Sequence, residues 1–174
     1  MIVTLDRAVW RQLCLMSATS TRETGSLLIG RRTKRGNIFV AASIPLTHKR
    51  ATDSNLYYDP DEVASARKAA WDEFGPKLEP VGGFHVHPWE ACHHLALLNQ
   101  ISDDWDDPNS DVSDMLDNEI EFIISAFPDP HYKIEKLKGN DFILQATVSG
   151  KICRGEAWFR AKKGKIVPCE VRVR

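Results

Sequence analysis

The chain contains no long apolar run. Nothing in it approaches the roughly 18 consecutive apolar residues of a membrane span. The stretch from Met1 to Leu15 is broken by Asp6, Arg7 and Arg11, so a secretory signal is not expected either. There is no surplus of charge of one sign. Lys and Arg number 23 against 24 Asp and Glu, a formal charge of -1, which argues against a dedicated nucleic-acid binder with its strongly basic face. Cysteines are few: Cys14, Cys92, Cys153 and Cys169, with no CxxC pair. That leaves a Cys-rich zinc finger unsupported and points to reduced thiols in a cytoplasmic protein. The HExxH helix motif is absent. Without repeats, low-complexity tracts or Gly-, Ser- or Pro-rich linkers, residues 1–174 read as one domain.

What is present is an ordinary globular composition, 43% hydrophobic and 27% charged over 174 residues. A chain of this size hides about 70% of its unfolded surface and needs no staples. Leu5, Ala8, Val9, Leu13 and Met16 recur at helical spacing, predicting a helix over Leu5 to Ser20. Gly25 to Gly30 is a short apolar run between glycines, a buried strand, and Ile38 to Leu46 is its hairpin partner. Asp59 as cap, Pro60 at the first helical position and Glu62 at the third announce a second helix, stopped by Gly75-Pro76. Val81 to His87 and Ile120 to Phe127 read as strands, and the tail from Tyr132 to Arg174 as three or four more. The order predicts a mixed α/β domain with one main sheet and a β-rich end.

The informative stretch is Gly82-Gly83-Phe84-His85-Val86-His87-Pro88. Alternate side chains of a strand share a face, so His85 and His87 point one way and Val86 the other. Two imidazoles side by side at a strand end can bind one metal ion; two unrelated histidines near a turn are the alternative. Gly82 and Gly83 permit close backbone approach, and Pro88 ends the ladder. A catalytic zinc site has three protein ligands and an open position for water. The third ligand is expected from the acidic stretch downstream. The general base must then be a carboxylate from elsewhere, and Glu23, just before the buried run, is the candidate. Desolvation at the mouth of a strand would raise its pKa toward neutrality. The alternative is an exposed turn.

Glu23-Thr24-Gly25-Ser26-Leu27-Leu28-Ile29-Gly30, then His85-Val86-His87-Pro88, then an Asp, resembles the JAMM (JAB or MPN-plus) zinc metalloproteases. Their pattern is a Glu before a Gly-containing strand, a His-Ser/Thr-His-Pro strand end, then Ser-x-x-Asp. The resemblance runs from about Leu5 to Phe127. It implies an MPN/JAB-like domain, a partly barrel-like mixed sheet flanked by helices. It implies zinc (Zn2+) held by His85, His87 and an Asp, with Glu23 accepting the proton of the attacking water and passing it to the leaving amine. It implies a substrate bond after the C-terminal glycine of ubiquitin or a ubiquitin-like protein. The compact chain resembles bacterial members, which occur beside conjugation enzymes in sulfur-transfer and phage-defence systems.

Three departures qualify the match. Val86 stands between the histidines in place of Ser or Thr. The position usual for the Asp is Leu98, and no Asp comes before Asp103, so an insertion occupies about 89–108. No serine stands three residues before a plausible Asp. A ligand near the start of a helix leading into the strand at Ile120 fits Asp111 first, Asp114 second and Asp107 third. Pro108 then takes the serine's position and cannot donate, leaving Ser110 or Asn109 to steady the oxyanion. In the insertion, Cys92, His93 and His94 read as part of a short amphipathic helix rather than ligands. Asp103, Asp104, Asp106 and Asp107 read as a solvated acidic rim able to steer a basic partner face. Two other functions stay open: a binding module that has drifted from catalysis, and a small-molecule amide hydrolase.

Overall fold

In the computed structural model, residues 1–46, 48–51, 56–88, 116–128 and 143–174 are described. Strand β1 (Ile2–Leu5) leads directly into helix α1 (Arg7–Thr19), which Asp6 caps by accepting from the Ala8 amide at 2.8 Å. Strands β2 (Gly25–Arg32) and β3 (Ile38–Pro45) form the expected antiparallel hairpin. A small separate ribbon pairs β4 (His48–Ala51) with β5 (Leu56–Tyr58). Helix α2 (Pro60–Phe74) begins at the Asp59 cap with Pro60 first, and Asp61 and Glu62 in its first turn suit the positive end of the helix dipole. Then follow β6 (Glu79–His87), β7 (Ile120–Pro128), β8 (Ile143–Val148), β9 (Lys151–Arg160), one 3-10 turn (Lys162–Gly164) and β10 (Ile166–Val173).

Eight of these strands form one sheet in the order β10-β1-β3-β2-β6-β7-β9-β8, and β9 also pairs with β10. The extra pairing closes seven strands into a ring. One half of the β9 edge, Ala157 to Arg160, carries β10, and the other half, Lys151 to Glu156, carries β8. The barrel is mixed: β1 runs parallel to both β10 and β3, β6 runs parallel to β7, and the remaining pairs are antiparallel. Every strand of the ring sends apolar residues inward, among them Val3, Leu28, Val40, Phe84, Phe122, Cys153 and Val171. Helix α1 adds Val9, Trp10, Leu13 and Cys14 to this core, with the Trp10 ring edge-on to Phe122 at 6.1 Å. Helix α2 packs on the other face, where Ala70 meets Leu27 and Ile29.

The expected helix-flanked α/β sheet is therefore corrected. The fold is a mostly β, closed seven-strand barrel with two described helices of 13 and 15 residues. The physical reason is the pairing of the chain's two described ends. Ile2 to Leu5 lie beside Glu170 to Val173, burying both strand edges that an open sheet would leave exposed. Among the described residues no helix is long and apolar enough to cross a membrane. Cys14, Cys153 and Cys169 are buried free thiols, and Cys92 lies outside the described residues.

Candidate metal centre

The site begins as a register. Gly25 on β2 lies opposite His85 on β6, and the Val86 amide donates to the Thr24 carbonyl at 2.9 Å. Carrying that antiparallel register two residues further sets Glu23 opposite His87. Residues directly opposite share a face, so Glu23, His85 and His87 all lie on the outward face of the barrel. Val86 points inward and is wholly buried in the core, as the alternation requires. Glu23, His85 and His87 are only 3%, 4% and 6% exposed, so Glu23 is buried and does not lie in an exposed turn.

The two imidazoles converge. Their Nε2 atoms lie 3.1 Å apart. His85 Nδ1 donates to Oε1 of Glu121 at 2.8 Å, and a carboxylate only accepts, so the other nitrogen of the neutral ring presents its lone pair. Glu121 comes from β7, beside Gly83 in the parallel pairing. A Cβ on Gly83 would come within 2.4 Å of Oε2 of that carboxylate, so glycine here makes room for the group that orients His85. With neutral rings, the short Nε2 contact is a hydrogen bond from His87 to His85. A cation between them requires that proton to leave, so its binding competes with protons. Two nitrogens bound to one tetrahedral zinc at about 2.0–2.1 Å lie about 3.3–3.4 Å apart, close to the separation present. The pair fits such an ion. Among the described residues no group of three His, Cys, Asp or Glu side chains is placed to hold a metal. Asp111, its alternatives Asp114 and Asp107, and Ser110, Asn109, Cys92, His93 and His94 all lie outside the described residues.

The outward face carries more polar groups than the motifs suggested. His87 pairs with Ser125 on β7, and Ser125 with Arg154 on β9. His85 pairs with Ile123, and Ile123 with Glu156. Arg154 Nη2 lies 2.7 Å from Oε1 of Glu156. Burial pushes the Glu156 carboxyl above its ordinary range, and the Arg154 guanidinium pulls it only part of the way back. Glu121, Ser125, Arg154 and Glu156 were not read as site residues from the sequence. Their signal was available: Glu and Ser interrupt the otherwise apolar run Ile120 to Phe127, and a polar residue in a buried strand needs a reason. Assigning them to this face required the strand register.

No family model matches the chain, and no curated protein matches it. Solved structures resemble it. One is the solution structure of a protein from Desulfitobacterium hafniense, 18% identical, with a TM-score of 0.58, covering 99% of this chain and 92% of that one. Another is the solution structure of a protein from Salinibacter ruber (strain DSM 13855), 16% identical, with a TM-score of 0.50, covering 98% of this chain and 91% of that one. At such identities the likeness speaks for the fold alone.

Proposed function

We propose that the chain is a zinc-dependent peptidase of the JAMM type, cleaving the peptide or isopeptide bond at the C-terminus of a ubiquitin-like modifier. One observation carries the chemistry: two buried imidazoles with Nε2 atoms 3.1 Å apart, one of them oriented by Glu121 through its other nitrogen. The substrate class rests on the motif resemblance of Glu23 and His85-Val86-His87-Pro88. His85, His87 and Asp111 are the proposed ligands. Zinc bound there supplies a Lewis acid for the scissile carbonyl and a water whose pKa falls to about 7.

The remaining work belongs to the chain. Glu23, two residues before β2 and in line with His87, takes the proton of the attacking water and returns it to the leaving amine. Its burial keeps bulk water from competing for that proton. Glu121 holds His85 in the ligating tautomer. A cytoplasmic setting, in a bacterial conjugation or antiphage system, accords with the free thiols and is part of the proposal. A second reading, a binding module without turnover, is favoured by Leu98 standing where the family's Asp usually does.

The test is cleavage of a modifier–peptide fusion by the zinc-loaded protein. Wild type cleaves, chelation stops it, and Glu23→Gln retains zinc while losing turnover. Cleavage that survives Glu23→Gln contradicts the assigned base, and partner capture without any cleavage supports the binding module.

A further inference from the structure

We infer that Ser125, with Arg154 beside it, donates the hydrogen bonds that hold the substrate's carbonyl oxygen as it gains negative charge; this rests on the amide-hydrolysis reading above. The inference begins with position. His87, Ser125 and Arg154 form one row across β6, β7 and β9 on the outward face, and Glu23, two residues before β2, continues that row when the Gly25–His85 register is carried on. Glu23 and Ser125 therefore flank His87 from opposite sides. A base on one side and a donor on the other is the division that water attack on a carbonyl needs.

The second observation is an unmet valence. Ser125 is 1% exposed, and its Oγ has no hydrogen-bond partner. Arg154 Nε is likewise buried without one, although the same guanidinium holds Glu156 through Nη2. Burying a donor unpaired is costly, so each such group in a folded protein calls for an explanation, and a role toward a bound ligand is one of them. Here two lie directly opposite each other across β7 and β9, in the row of a candidate metal ligand. The other described serines with unpartnered buried hydroxyls lie elsewhere. Ser26 pairs with inward-facing Phe84, and Ser43 sits on β3 beside inward-facing Leu28. Burial does not set Ser125 apart from the site. It is sealed to the same degree as Glu23, His85 and His87, so a path that admits substrate to the imidazoles reaches the same face.

The experiment compares wild type, Ser125→Ala, Ser125→Thr and Ser110→Ala. Three readouts are taken: zinc per chain, turnover of the modifier fusion, and acetate binding followed at the Arg154 Nε–H resonance in zinc-free and zinc-loaded protein. Acetate stands in for the carbonyl oxygen. Ser125→Ala is expected to keep its zinc, to bind acetate about tenfold more weakly in both forms, and to lose about 100- to 1,000-fold in kcat with KM little changed. Ser125→Thr, which keeps the hydroxyl, restores most of the loss. Unchanged acetate affinity in Ser125→Ala overturns the inference, as does loss of kcat in Ser110→Ala but not in Ser125→Ala. Loss of zinc together with activity in Ser125→Ala also overturns it, because the hydroxyl then positions His87 instead of touching substrate. A wild type that takes up no zinc defeats the peptidase reading separately, and the zinc-free acetate titration still decides the donor pair.

Discussion

His85 uses its two nitrogens differently: Nδ1 is tied to Glu121, and Nε2 is turned to His87. A ligand held this way loses its orientation before it loses its basicity. Glu121→Ala is expected to weaken zinc binding about 10- to 100-fold, measured by competition with a chromophoric chelator, while leaving the fold intact. Gly83→Ala should weaken it in the same direction, because the new Cβ displaces the Glu121 carboxylate. A second residue-scale prediction concerns Glu156. Its folded carboxyl is raised above the ordinary value of 4.5 by burial. The folded state therefore keeps a proton that the unfolded chain gives up, and this contribution to stability falls as pH rises through and beyond that value. The melting temperature of Glu156→Gln relative to wild type should stay level below that pH and move in the variant's favour above it. A difference that does not change with pH contradicts the raised carboxyl. The shared face of His85 and His87 was legible in the sequence because strand alternation alone puts both histidines on one side, whereas Glu23 was singled out by its place before the buried run and by the motif resemblance. Glu121, Ser125 and Arg154 were not, since each reaches the site through pairing between distant segments.

At the scale of elements, the parallel pair β6–β7 holds the site together. Gly82 makes that pairing possible: a Cβ there would lie 1.8 Å from the Ile120 carbonyl oxygen. Backbone cannot yield as a side chain does. Gly82→Ala should therefore abolish the cooperative thermal transition or lower it sharply, whereas Gly83→Ala, whose Cβ meets the Glu121 side-chain carboxylate first, should still melt cooperatively. Comparable melting of the two variants contradicts this. Helix α2 is pinned to the residue leading into β7 by Arg67, whose two terminal nitrogens donate to Glu119 at 2.6 and 2.8 Å. Both helices were readable from their spacing and, in α2, from its cap residues, and β2, β3, β6 and β7 from apolar runs. Strand β1 was missed because four residues running straight into a helix give too short a pattern. The β4–β5 ribbon went unread as well. The expected helix start at Asp111 lies outside the described residues.

For the whole molecule, closure is the decisive feature, and it was the part least legible in the sequence. The ring needs both the β9–β10 pairing and the pairing of Ile2–Leu5 with Glu170–Val173, and no local periodicity reports a partner as far along the chain as the second. The enclosed core also holds three thiols, Cys14, Cys153 and Cys169, all fully buried. Burial pushes Cys169 up to about 11 from 9.0. Between those values the folded state retains a proton that the unfolded state releases, so this contribution is lost as pH rises from about 9 to about 11. Alkylation at pH 8 with peptide mapping should leave Cys169 unmodified in the native protein and modify it in denaturant; rapid native labelling contradicts the barrel core described. The central claim, that His85 and His87 hold one zinc on the outer face of this barrel, is tested most directly by elemental analysis of zinc per chain after reconstitution, in wild type and in His85→Ala/His87→Ala. The account predicts about one zinc in wild type and almost none in the double variant. No zinc in wild type, or zinc retained without both histidines, contradicts it.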